Sequence, residues 1–238
     1  MTEKMYDNGQ FGSYDIDVCL CIDKTGSMDP IMDTVKQNAL NLYDDIVNTL
    51  NEKHKHVGKL RIRVIWFGDY RADENPMLMS DFMDMPEELD TFKKYVQSVS
   101  AYGGGDAPED GLEALTYAIR SDWCSTGWKR RHIIAMFTDA PAHELGFGKK
   151  TLHNRDNPRY PEGMPSDFSE LSEMWGDEDN PGEMDYRAKR LLLFTPDETY
   201  WHTMATCWEN VVIRPVETAA GLADVSYQAM MNTIANSV

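Results

Sequence analysis

The chain has 238 residues, 42% of them hydrophobic, enough to bury a sizeable core, so disorder is excluded for most of it and one large or two small domains are expected. Lys and Arg number 23 against 40 Asp and Glu, a net charge of −17, and such a surface repels phosphate backbones and anionic lipid; nucleic acid and membrane surfaces are excluded as partners, leaving cations and basic or neutral proteins. The opening stretch MTEKMYDNGQFGSYD has no apolar signal core, no run of about 18 apolar residues follows, and 4 cysteines include no CxxC pair, so a soluble, cytoplasmic chain without a disulfide framework or zinc ribbon is expected.

Residues 1–13 read as a tail. The first apolar run, DIDVCLCI at 15–22, predicts a strand in which Cys19 and Cys21, sharing a parity, pack in the core. It runs into DKTGS (23–27), and Asp29-Pro30 then reads as the N-cap and first turn of a long helix whose apolar face is Ile31, Val35, Ala39, Leu42, Ile46 and Leu50. A second strand, LRIRVIWFG at 60–68, closes on Asp69 and Tyr70, which either rim a cleft or cap the strand. MLMSDF (77–82) predicts a weaker, antiparallel edge strand, and MPEELDTFKKYVQSV and PEDGLEALTYAIR predict two helices around the loop GGGDAPEDG at 103–111.

The strand RHIIAMFT (131–138) ends in TDA. Residues 141–187 then carry five prolines and the acidic stretch GDEDNPGEMD, with only SDFSELSEMW helical in pattern. A loop this long inside a domain is functional or a surface excursion, and this one leaves the sheet just after Asp139, so it is expected to lie over any site there. His143, four residues after Asp139, is within reach of that site, but as a loop histidine it is expected to be solvated. Strands at 190–195 and 211–216 and helices at Thr199–Trp208 and Ala223–Ile234 complete the pattern. Apolar runs alternating with helices predict an α/β, Rossmann-like three-layer sandwich over residues 14–238, with a mostly parallel sheet and one antiparallel edge strand.

In an open parallel sheet, ligands bind outside the carboxyl ends of the strands. DKTGS, GGGDAPEDG and TDA converge there. Asp23, Asp106, Glu109 and Asp139 together bring as many as four negative charges into one small space, which a hard divalent ion relieves; Mg²⁺ prefers about six oxygen ligands, and the hydroxyls of Thr25 and Ser27 with one carboxylate leave room for water and an outside oxygen. Each piece also has a reading without metal. Asp106 and Glu109 have the D-x-x-E form of a capping box with Pro108 in the first turn, and Asp139 before Ala-Pro reads as a cap.

These stretches resemble the von Willebrand factor A domain with its metal-ion-dependent adhesion site, whose pattern is D-x-[ST]-x-S after the first strand, an oxygen ligand in a second loop, and an aspartate after the fourth main strand. The resemblance implies that fold, metal ligands at Asp23, Thr25, Ser27, Glu109 and Asp139, and a cation, Mg²⁺ first with Mn²⁺ or Ca²⁺ as substitutes. DAPEDG is similar to the DxPEGG stretch of integrin beta subunits, which implies Glu109 as a direct ligand and Asp106 as a ligand of a neighbouring second site. Lys24 reads as a variable position between ligands. DVCLCIDKTGSM, VIWFGDY and GGGDAPEDGLEAL are similar to bacterial and alpha-kinase-associated members. The implied function is a protein-binding module, not an enzyme, engaging an Asp or Glu carboxylate of a kinase, a phosphatase or a stress-system component.

DKTGS also differs by one conservative change from DKTGT, the phosphorylated-aspartate motif of P-type ATPases, which makes Asp23 the nucleophile of a metal-dependent phosphotransfer enzyme. Context argues against this alternative. The strand end IIAMFTDA offers one aspartate without an acidic partner in the next four residues, and no GxxxxGK[ST], HExxH or G-x-S-x-G occurs.

Overall fold

The computed structural model describes residues 12–104, 108–216, 232, 233, 236 and 238. The strand β1 (Ser13–Asp23) is followed by a 3-10 turn at Gly26–Met28 and the helix α1 (Asp29–Glu52). Then come β2 (His56–Phe67), β3 (Met77–Met79), β4 (Met83–Met85), α2 (Leu89–Ser98), α3 (Gly111–Ile119) and β5 (Lys129–Phe137). The chain continues through α4 (Phe168–Trp175), β6 (Lys189–Phe194), α5 (Thr199–Cys207) and β7 (Val211–Ile213). The helix expected at Ala223–Ile234, apart from residues 232 and 233, the tail over 1–11 and Asp106 lie outside the described residues. So do the side chains of Ile31, Val35 and Ala39 in α1.

The seven strands form one sheet in the order β3-β2-β1-β5-β6-β7, with β4 also on β2. All pairings are parallel except those of β3 and β4 to β2. The weak strand expected at 77–82 is therefore two short antiparallel pieces on one edge. Ser80 separates them, its amide donating to Val64 O and its hydroxyl accepting from Val64 N at 3.0 Å. At the other edge β7 is shorter than the run 211–216, yet Arg214 N and Val216 N still donate to Leu193 O and Thr195 O. From β1 the chain moves one way to β2 and later crosses back to β5 on the other side, so strand order reverses at the gap between β1 and β5.

Strand periodicity explains the two cores. Ile16, Val18, Leu20 and Ile22 of β1 face a cluster with Leu42, Ile46 and Leu50 of α1 and Phe92 and Val96 of α2. Each such side chain contributes about 1.5–3 kcal/mol on burial. Cys19 and Cys21 point the other way, into a cluster with Leu112 and Leu115 of α3, Trp175 of α4 and Trp201 of α5, as their shared parity predicts. The residues 141–187 are only in part a solvated excursion: residues 152–156 are exposed, but Leu145, Leu171, Met174, Trp175 and Met184 are all buried in this second core. Within it, Asp167 caps α4 by accepting from Glu170 N at 3.0 Å while Glu170 Oε2 accepts from Ser166 N at 2.6 Å.

Candidate functional site

The site is built where β1 and β5 end side by side. Ile22 pairs with Phe137, which sets Asp23 beside Thr138. Asp23 is fully buried and both its oxygens are engaged: Oδ1 accepts from Thr25 N at 2.8 Å and Thr25 Oγ1 at 2.6 Å, and Oδ2 accepts from Thr138 Oγ1 at 2.6 Å. The chain of contacts continues outward. Thr25 Oγ1 lies 3.3 Å from Ser27 Oγ, and Ser27 Oγ donates to Asp139 Oδ1 at 2.8 Å. Asp23 and Thr25 thus form a buried floor, whereas Ser27 is exposed and Asp139 half-buried at the mouth.

The second loop joins them through two glycines. Gly26 N donates to Gly103 O at 3.2 Å, and Gly104 (φ +77°) is the spacer between Thr25 and Glu109: a methyl there falls 2.9 Å from Glu109 Oε1 and 3.2 Å from Thr25 Cβ. Gly103 (φ +83°) has no room for a side chain, since a methyl falls 1.9 Å from Asp73 Oδ1. Gly103→Ala is expected to cost about 1–3 kcal/mol in thermal or urea denaturation, through left-handed strain and displacement of Asp73. An unchanged stability means that this loop is free to rearrange.

Glu109 is 4% exposed, and its Oε2 has no hydrogen-bond partner among the described residues. Burial, followed by the charges of Asp23, Asp69, Asp73 and Asp110, pushes its carboxyl up to about 10. Asp23 is pushed up to about 6 by burial, against the lowering effect of its bonds from Thr138 and Thr25. A carboxylate basin with this need for positive charge, walled by two hydroxyls, fits a hard cation with oxygen ligands.

All five expected site residues, Asp23, Thr25, Ser27, Glu109 and Asp139, lie on the three loops at this one sheet end. The capping readings of Glu109 and Asp139 are not what the structure shows, and Asp106 lies outside the described residues. α3 begins at Gly111, after Glu109, with Asp110 at its N-cap and no side-chain cap bond, and Asp139 accepts from Ser27 with no helix starting beside it. Asp29 is the first helical residue of α1, not its cap, because Met28 ends the 3-10 turn at that position.

Two expectations need correction. Lys24 is not a free spacer: it is fully buried, its Nζ 3.5 Å from Asp73 Oδ2 and 4.2 Å above the Tyr102 ring. His143 is not solvated. It is 5% exposed and stacked on Phe147 at 4.0 Å, because the loop bridges back at Glu109 and Ala142 and His143 N donates to Glu109 O at 2.9 Å. Of the two readings of Asp69 and Tyr70, the structure agrees with the cap: both are buried, with Asp69 Oδ1 accepting from Arg71 N at 2.6 Å and Tyr70 N donating to Asp110 Oδ2 at 2.5 Å. Sequence reasoning missed Thr138 as the second hydroxyl on Asp23, although its place in TDA was the signal. Asp73 and Asp110 gave no signal of their own.

A family profile for the von Willebrand factor A domain matches residues 17–152, more than half of the chain. The alpha-protein kinase vwkA of Dictyostelium discoideum is 24% identical over 151 residues, 63% of this chain and 21% of the kinase. Among solved structures, the PilB minor pilin of Streptococcus sanguinis superposes with a TM-score of 0.54 at 12% identity over 94% of this chain and 62% of that one. The pilus adhesin SpaC of Lactobacillus rhamnosus GG gives 0.51 at 14% over 95% of this chain and 31% of that one. A von Willebrand factor type A protein of Catenulispora acidiphila gives 0.50 at 13% over 92% of this chain and 42% of that one. The chain spans about a fifth of the kinase and less than two thirds of each of these structures.

Proposed function

The chain belongs to the von Willebrand factor A domain family, and from that premise we propose that it is a divalent-cation-dependent protein-binding module that engages a partner's carboxylate. The observation that carries this reading is the bonded series Asp23–Thr25–Ser27–Asp139, with Glu109 across Gly104 from Thr25 and its buried Oε2 unpartnered among the described residues. Thr25, Ser27 and Glu109 would hold the ion directly. Asp23 and Asp139 would orient the two hydroxyls by the bonds they already accept, directly or through water. Oxygen-only donors favour Mg²⁺, with Mn²⁺ or Ca²⁺ as substitutes. The ion supplies a Lewis-acid bond to an incoming Asp or Glu side chain; the exposed position of Ser27 supports access from that side.

The partner would be a protein, in a cytoplasmic setting, such as a kinase, a phosphatase or a stress-system component. A net charge of −17 weighs against nucleic acid and anionic membranes, and no helix among the described residues is long and apolar enough to cross a bilayer. Within the 14–238 domain, the segment 141–187 would select among partners, since a metal–carboxylate bond alone does not distinguish them. Its Asn157 and Tyr160 tie it to the neighbouring elements: Asn157 Nδ2 donates to Tyr70 O at 2.7 Å and Tyr160 OH to Glu113 Oε1 at 2.7 Å. The phosphotransfer alternative is weakened by the full burial of Asp23 and by the three hydrogen bonds its oxygens already accept.

Calorimetric titration of Mg²⁺ or Mn²⁺ into EDTA-treated protein tests the site. Asp23→Ala and Ser27→Ala are each expected to weaken binding by about 100-fold or more, since loss of outer-shell partners alone costs about 10–100-fold. Binding unchanged from wild type in both variants rejects the site, and a stoichiometric acyl-phosphate on Asp23 after incubation with acetyl phosphate reverses the choice between module and enzyme.

A further inference from the structure

A second group of donors lies next to Glu109 and shares no residue with the set above. Asp69 follows β2, Asp110 is the residue before α3, and His143 sits in the loop after β5. One carboxylate oxygen of each aspartate and one ring nitrogen of the histidine lie within 4.8 Å of one another, and all three residues are buried.

Local bonds fix each of them. Asp69 N donates to Asp73 Oδ2 at 3.0 Å and Asp69 Oδ1 accepts from Arg71 N at 2.6 Å, a closed turn that aims the side chain. His143 is held by its backbone bond to Glu109 O and by Phe147, whose ring also lies 4.4 Å from the Arg71 guanidinium. Asp110 is fully buried and gives Oδ2 to the Tyr70 amide. Its Oδ1 has no hydrogen-bond partner among the described residues. A buried carboxylate oxygen left in that state is costly, and it is the oxygen that remains to serve a ligand. The buried ammonium nearby is already paired, Lys24 with Asp73.

We propose that Asp69, Asp110 and His143 form a second divalent-metal site, selective for a transition ion such as Zn²⁺. An imidazole nitrogen with two carboxylates suits zinc and its neighbours in the transition series, whereas Mg²⁺ and Ca²⁺ prefer oxygen alone. Three protein ligands leave one position for water in a tetrahedral zinc shell. Donors about 2.0–2.2 Å from zinc lie closer together than 4.8 Å, so small side-chain rotations close the group around the ion. An ion held there would tie the end of β2, the start of α3 and the loop after β5 together at a buried point.

Cobalt(II) is the probe, since it replaces zinc and its visible absorption reports coordination. EDTA-treated wild-type chain is expected to take up two equivalents, Ser27→Ala one, and Ser27→Ala/His143→Gln none at the same concentrations. Asp110→Asn in the Ser27→Ala background is expected to weaken the remaining equivalent by about 100-fold or more. If Ser27→Ala takes up no cobalt, or if the His143→Gln change leaves its uptake unaltered, the second site is overturned. Wild type and Ser27→Ala both taking up one equivalent would sink the hydroxyl-based site and leave this one standing. Should the His143 or Asp110 variants fail to fold, X-ray absorption of zinc-loaded Ser27→Ala decides: imidazole scattering in the first shell supports the site, and an all-oxygen shell overturns it.

Discussion

Lys24→Met is expected to destabilise the protein by about 3–5 kcal/mol, as truncation of one partner in a buried ion pair does. Lys24 and Asp73 are both buried, and Lys24 Nζ lies 3.5 Å from Asp73 Oδ2. Asp73 is itself part of the frame, accepting from Asp69 N and Gly104 N at 3.0 Å each. Without the ammonium, its charge stays in a basin already holding Asp23, Asp69, Glu109 and Asp110. Urea denaturation in EDTA measures the loss directly, and the melting temperature should fall by roughly 10 °C. Lys24→Met combined with Asp73→Asn is expected to recover part of it, because the uncompensated charge is gone. A single variant within 1 kcal/mol of wild type would show that the pair adds little here, with water or side-chain movement replacing it.

Why Lys24 reads as a spacer in the sequence, and is not one, marks the boundary of what local pattern reveals. The alternation of Ile16, Val18, Leu20 and Ile22 against Cys19 and Cys21 exposes the layers of the fold, because period 2 is written in neighbouring residues. The placement of Asp23, Ser27 and Asp139 follows from strand ends, which are legible as the points where apolar runs stop. Lys24 depends on contacts from elsewhere: its N donates to Phe67 O at 2.9 Å and its O accepts from Tyr102 N at 2.8 Å, so the extended backbone of β1 runs one residue past its last ligand-bearing carboxylate. Asp73 and Tyr102, its side-chain partners, sit in irregular loops with no periodicity to report them. The same holds for His143, whose burial comes from a bridge between Glu109 and Ala142 that no spacing rule anticipates. The proline-rich stretch 141–187 misleads in the opposite sense. Its polar composition reads as surface, yet Leu171, Trp175 and Met184 are enough to anchor it in the core.

Without a bound cation, the protein is expected to lose stability as pH rises. Asp23, at about 6, and Glu109, at about 10, both hold their protons more tightly when folded than in the unfolded chain, for which carboxyls titrate near 4. Their contribution is complete below about pH 4 and is lost as pH passes through 6 for Asp23 and through 10 for Glu109. Asp110, raised by burial and the charge of Glu113, adds in the same direction. A divalent ion on Asp23 and Glu109 has to displace those protons. From about pH 7 to 9 uptake should expel about one, from Glu109, so Mg²⁺ affinity rises about tenfold per pH unit; below about pH 6 Asp23 joins and the slope approaches two. Calorimetry at several pH values, in buffers of different ionisation enthalpy, counts the protons. Glu109→Gln is expected to abolish the release above pH 7 and to flatten the fall in melting temperature measured in EDTA. Mg²⁺ affinity that stays constant from pH 7 to 9 in the unaltered protein would remove Glu109 from the ligand set, whatever Thr25 and Ser27 do.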